Sequence, residues 1–313
     1  MSKSSIINNH TKKGLSSNDK ILKINEKIRV KLEQGLIPWR KNWEERGQQT
    51  LASNGITKKP YKGINSTLLN MELRPNQNPY FFTFKQVKDL GGKIKKGEKG
   101  EVVIFWKIHS FAVKGKSGKG EEASMKTFPL LRYSYVFNLE QIELPEEQQA
   151  KFVVDTSSLE EEVKEERITN FLDKIKDKPV ISFRGDRASY NASKDIIKMP
   201  LKNQFENEDS FYSTLFHELG HSTGHPKRLN REGIAKPASF GTPRYAKEEL
   251  IAEMTCNYIA SHCKTKIDYD NTTAYIQNWS QLIQDDPYFF VTACSKAQKA
   301  FDYLTNQVSS EEG

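Results

Sequence analysis

The sequence predicts an α+β protein of two domains, and three observations carry that prediction. The chain has 313 residues, about two domains at the usual ~150 each. Its charge changes sign along its length: residues 1–145 hold 27 Lys and Arg against 13 Asp and Glu, a net +14, whereas the other 168 hold 21 against 27, a net −6. Finally, the first half mixes helical stripes with runs that alternate every second residue, while the second half is mostly helix-periodic around a short strand pair. A basic half joined to an acidic one argues that the first meets a polyanion and the second does something else. The predicted division is an arm over 1–18, a basic domain over 19–145, a charged linker over 146–166 and a second domain over 167–313.

Composition removes several classes of function. No run of eighteen apolar residues is present, so no membrane span is expected. Met1 to Ser17 is polar and lacks the apolar stretch of a secretion signal, which makes the cytoplasm the expected compartment. Cys256, Cys263 and Cys294 lack CxxC spacing, so they are read as small apolar core residues and not as a disulfide framework.

Along the basic half, Ile21, Leu22, Ile24, Ile28, Val30 and Leu32 fall at roughly helical spacing, and Gly35 and Pro38 supply stop signals. Trp39, Arg40, Lys41 and Trp43 follow. Tryptophans interleaved with cations suit the stacking of unpaired bases and the pairing of phosphates; the competing reading is that one or both rings plug a core. Asn54-Gly55 and Lys62-Gly63 are turn signals ahead of a short helix over 64–73. Thr83 is an expected N-cap for a helix that includes Lys85 and ends at Gly92. Lys93, Lys95, Lys96 and Lys99 lie in a charged turn before a strand over 101–107, and Lys62, Lys85 and these four complete the candidate phosphate contacts. Residues 112–126, rich in lysine and glycine, are expected to be a mobile hairpin loop. The returning strand over 130–139 carries Tyr133, Tyr135 and Phe137 on one face, either a stacking platform or a buried sheet face.

The acidic run within Glu143–Glu166 marks the expected boundary. A helix over 167–177, a strand over 180–184 and a hairpin return over 188–200 follow, the last as an edge strand lining a cleft. The second half is organised around His217-Glu218-Leu219-Gly220-His221. Two histidines four residues apart on a helix project from one face, so both imidazoles reach one metal ion, with the glutamate beside a metal-bound water. Phe211, Leu215, Phe216 and Leu219 bury that helix, and Gly224 and Pro226 end it. A further helix over 245–260 carries Glu248, Glu249 and Glu253, of which the last two share a face. Two more helices are expected over 272–282 and 287–304.

The Glu-x-x-Ala-Glu pattern of Glu249–Glu253 resembles the second metal-binding helix of gluzincin peptidases. That resemblance implies Glu249 as the third ligand and Glu253 as the acid that orients a ligand histidine, the reverse assignment being the alternative. More of the chain resembles the ArdC-type antirestriction proteins of conjugative elements. LEQGLIPWRKNW, YKGIN, TFKQVKDLGGKIKKGEKG, VVIFWK and YVFNLEQIE match that family's single-stranded-DNA-binding domain. RASYNASKDIIKMP, FYSTLFHELGHSTGHPKRLNR, YAKEELIAEMTCNYIA and AYIQNWSQLI match its zincin-like metallopeptidase domain. The resemblance implies a DNA-binding module tethered to a metallopeptidase, made by a mobile element and protecting incoming DNA from restriction. His217 and His221 are then ligands, Glu218 the base and a glutamate of EELIAE the third ligand.

The expected chemistry is peptide hydrolysis at Zn2+, with Glu218 moving the proton. His225, four residues past His221, is a candidate oxyanion donor, and Tyr190 and Tyr245 are weaker ones. Expected partners are single-stranded DNA and an unidentified protein substrate, a host DNA-bound or restriction protein. Two rivals remain: a binding protein that protects by occlusion with a structural or vestigial metal site, and a metal nuclease, for which clustered carboxylates are too few.

Overall fold

The computed structural model describes residues 17–40, 51–74, 77–113, 124–153, 164–236, 239, 241–268 and 273–307. The predicted arm therefore lies outside them except for Ser17 and Asn18, which open the first helix, α1 (Ser17–Glu33). Strand β1 (Ser53–Asn54), helix α2 (Gly63–Glu72) and strand β2 (Tyr80–Thr83) follow, then α3 (Phe84–Asp89), β3 (Lys93–Ile94), β4 (Glu101–Val113) and β5 (Ser124–Asn138). Thr83 caps α3 reciprocally, accepting from Gln86 N at 3.2 Å while Gln86 Oε1 accepts from Thr83 N at 2.8 Å.

One sheet has the order β1-β2-β5-β4, and β4 and β5 pair antiparallel from Glu101↔Val136 to Val113↔Ser124. Strand pairing thus runs through both ends of the segment expected to be loop, leaving residues 114–123 outside the described ones. Lysine- and glycine-rich composition hid the ladder because backbone groups, not apolar side chains, form its hydrogen bonds. Strand β6 (Ile142–Glu143) pairs with β3, and α4 (Glu146–Gln149) opens the expected linker. Within its described part, up to residue 153, Phe152 is buried and edge-on to Phe82 at 4.9 Å.

The acidic half begins with α5 (Lys164–Asp173), followed by β7 (Val180–Phe183), β8 (Ser189–Asn191) and β9 (Ile196–Met199). These strands form a sheet of order β7-β9-β8, with β8 antiparallel at the edge. Helices α6 (Glu208–Ser222), α7 (Glu232–Ala235), α8 (Pro243–Cys263), α9 (Thr273–Asp285) and α10 (Phe289–Leu304) complete the fold. Among the described residues, no helix is long and apolar enough to cross a membrane. All three cysteines are buried and free.

The two halves share a core. Ile21, Ile24, Ile28 and Leu32 of α1, spaced by three and four residues, pack in one cluster with Trp39, α2, Leu250 and Met254 of α8, Trp279 and Ile283 of α9, and Phe290 and Cys294 of α10. A second cluster is private to the acidic half and joins Phe171, Ile197, Phe216, Leu219 and Ile259. The expected tether is in this respect corrected: the basic and acidic halves are pressed together along α1 and α2.

Candidate metal centre

Helix α6 presents the histidine pair because its start and end are both fixed. Asn207 caps it, accepting from Ser210 N at 2.8 Å, and Glu208 and Asp209 oppose the positive end of its dipole. Phe211, Leu215, Phe216 and Leu219 are buried against the β7-β9-β8 side and α8. Gly220 is the point of closest approach to α8: a Cβ there would lie 3.1 Å from the Cα of Ala252. That absent methyl lets the glutamates of α8 come down beside the histidines.

The Nε2 atoms of His217 and His221 face each other at 3.0 Å. Glu249 sends one carboxylate oxygen to within 3.5 Å of each. The ligand atoms of these three residues all lie within 4.8 Å of one another. Glu253 sits elsewhere: its Oε2 is 3.8 Å from His217 Nδ1, behind the ring. Glu248 has the corresponding place behind His221, 3.5 Å from Nδ1. Each imidazole therefore turns Nε2 to the donor cluster and Nδ1 toward a carboxylate, the side from which outer carboxylates act on metal-binding histidines.

Each of these backing carboxylates meets an arginine. Arg231, buried, reaches Glu248 at 2.5 Å and also donates to the carbonyl of Gly220 at 2.8 Å. Arg40 reaches Glu253 at 2.6 Å. Glu248, Arg231 and the part played by Arg40 were not foreseen. Glu248 is adjacent in sequence to Glu249, so helical spacing assigns it another direction, and only the crossing of α6 over α8 brings it to His221.

Electrostatics agree with a cation-binding centre. Burial pulls the His221 pKa down, but the charges of Glu249, Glu248 and Glu218 outweigh it and push it up to about 9. Burial pushes Glu249 up, but His221 and His217 outweigh it and take it down to about 2. Without metal, His221 thus holds a proton below about pH 9 that a metal ion must displace. Apparent affinity is expected to rise about tenfold per pH unit between pH 6 and 8 for one displaced proton. Metal titration against a competing chelator checks it; a flat profile would contradict it.

The donors open on a cleft of about 550 Å³ lined by Glu218, Tyr245, Tyr275 and the β8 edge from Ala188 to Ser193. His225 does not line it. Helix α6 stops at Ser222, and His225 Nδ1 instead accepts from Lys227 N at 3.1 Å, so its expected role as oxyanion donor is corrected. Tyr190 donates to Asp195 at 2.8 Å and accepts from Arg228 at 3.1 Å. Tyr245 lies in the cleft with its hydroxyl 3.3 Å from that of Tyr275. Burial, Tyr275 and the charge of Glu249 raise its pKa, so it stays a protonated donor.

The candidate DNA contacts separate into two groups. Trp39, 8% exposed, lies against Trp279 and Phe290 at 5.5 Å each, which corrects its expected role as a base-stacking ring. Its large apolar area is worth more in the core than in water. Arg40 serves Glu253, and Lys62 reaches Asp302 at 3.1 Å. Lys41 and Trp43 lie outside the described residues. Lys85, Lys93, Lys95, Lys96 and Lys99 are exposed, although Lys93 pairs with Glu143 at 2.9 Å and Lys95 donates to the carbonyl of Glu140 at 2.7 Å. Phe84 at 65% and Tyr135 at 48% are the exposed aromatic faces nearby in sequence and register. Phe84 gave no signal, because its spacing to the buried Val87 reads as the same helix face.

Fold and site together define a zincin-like protein in which the half with the candidate metal centre is fused to a basic α+β half. A family model described as zincin-like metallopeptidase matches residues 166–296, and one described as the N-terminal domain of anti-restriction factor ArdC matches 18–137. The chain belongs to the ArdC-type antirestriction family. The metal-free crystal structure of antirestriction ArdC protein from the R388 plasmid is 28% identical, with a TM-score of 0.71 over 94% of this chain and 98% of that one. The Mn(II)-bound structure of that protein is 27% identical, with a TM-score of 0.67 over 95% and 99%. DNA primase TraC of Escherichia coli is 34% identical over 291 residues, 89% of this chain but 19% of the primase, so the chain spans about a fifth of that relative. The donor set and the Mn(II)-bound relative agree on a divalent-metal site.

Proposed function

We propose that this chain is an antirestriction protein of a mobile element, acting in the recipient cytoplasm, that binds single-stranded DNA through its basic half and carries a zinc peptidase site in its acidic half. The observation that carries the reading is the convergence of His217, His221 and Glu249 at the floor of an open cleft that also holds Glu218. Two nitrogens and one carboxylate, with a side open to solvent, make the donor set of a catalytic zinc. Such an ion supplies Lewis acidity, activating water and polarising a peptide carbonyl. Glu218, buried to 8% exposure on the cleft wall, takes the proton of the attacking water and returns it to the leaving amine. Tyr245 donates to the charge that develops on the carbonyl oxygen. The β8 edge offers unpaired backbone groups to an extended substrate, a host DNA-bound or restriction protein.

For DNA, the net +14 of residues 1–145 and the exposed lysines supply phosphate pairing, and Phe84 and Tyr135 supply stacking faces. The test is Glu218→Gln in a conjugation assay into a restricting recipient, beside metal content and single-stranded-DNA affinity. The variant is expected to keep metal and DNA, to lose about a hundredfold or more of any peptide hydrolysis, and to lose protection. Full protection by the variant would assign the function to occlusion instead.

A further inference from the structure

Glu253 is a carboxylate at 2% exposure. A charge so buried is costly to leave without a partner. Its Oε1 meets Arg40 Nε at 2.6 Å, and its Oε2 stands 3.8 Å from His217 Nδ1. The guanidinium comes from 213 residues away, on the segment that follows α1 in the basic half. That segment is pinned: Arg40 N donates to Ile37 O at 3.0 Å, and the neighbouring Trp39 ring is wedged between Trp279 of α9 and Phe290 of α10. The opposite histidine has a matching support of local origin, since Arg231, which holds Glu248 behind His221, is only 17 residues from it. One imidazole is thus backed from within the acidic half and the other from outside it.

The geometry points to Arg40 as a positioning residue of the metal site: contributed by the basic half, it holds Glu253 behind His217, so that the acidic half reaches full metal affinity only with the basic half seated. The inference rests on the metal reading above. Arg40 takes the oxygen of Glu253 that does not face His217, which holds the carboxylate in one orientation with its other oxygen toward Nδ1. Partners at this remove from a metal typically change affinity by about 10–100-fold when lost.

The test is metal affinity of the full chain, measured by competition with a chelator for zinc and for manganese, with folding followed by circular dichroism. Arg40→Met is expected to bind about 10–100-fold more weakly, and Arg40→Lys to recover most of the loss. In the Glu253→Gln background the same Arg40→Met change is expected to have little further effect, since the pair acts as a unit. That double variant leaves no buried charge without a partner, so it keeps the test open if Arg40→Met alone does not fold. Asn25→Ala removes a different link between the halves, the 2.9 Å bond to the carbonyl of Pro287, and is expected to leave metal affinity unchanged. Wild-type affinity in a folded Arg40→Met, or an undiminished loss in the Glu253→Gln background, overturns the inference and leaves the metal site standing. Wild-type protein that takes up neither metal overturns the metal reading, and the inference with it.

Discussion

Arg231→Met is expected to lower the free energy of unfolding by about 3–5 kcal/mol, because it strands Glu248 as a buried charge without its partner. The arginine is 6% exposed and every nitrogen of its guanidinium makes a hydrogen bond. It meets both oxygens of Glu248, donates to Thr223 Oγ1 at 2.5 Å and to the Gly220 carbonyl at 2.8 Å, and so closes the open end of α6. Methionine keeps most of the volume and none of the donors. A second variant, Arg231→Met with Glu248→Gln, is expected to recover part of the loss, since removing both charges is less costly than removing one. Denaturant unfolding of the apo protein measures both; a single-variant cost below about 1 kcal/mol, the range of surface pairs, would mean that water reaches the pair.

Trp39→Ala is expected to cost about 3–5 kcal/mol as well, the range for truncating a buried aromatic, and to leave the DNA affinity of the folded fraction close to wild type. The ring fills the space between Trp279 and Phe290, where α1, α9 and α10 meet. A variant of wild-type stability that binds single-stranded DNA several-fold more weakly would restore the stacking role that the sequence suggests. Unfolding curves and a salt-controlled binding titration, run on one preparation, separate the two outcomes.

What is legible in the sequence is what depends on neighbours in the chain. The i, i+4 pair His217 and His221, the Thr83 cap and the glycine and proline that end α6 are all local, and each can be read from spacing alone. The choice between Glu249 and Glu253 is half legible: spacing puts them on one face, but only the depth of α8 against Gly220 sets Glu249 toward the Nε2 atoms and Glu253 toward Nδ1. Trp39 and Arg40 are not legible, because a ring and a cation beside it look the same whether they wait for a nucleotide or for Trp279 and Glu253. His225 misleads for a related reason, as periodicity continues on paper past the residue where the helix stops.

Neither half of this chain is fit to be inherited alone. The stripe of Ile21, Ile24, Ile28 and Leu32 shares its cluster with α2 but also with helices encoded after residue 240, so a gene fragment ending at the change of charge would deliver an apolar ridge stripped of that second cover. Such a surface invites aggregation. Recombination therefore has reason to move both halves as one cassette, and the match inside the primase TraC, which takes in 89% of this chain, includes both.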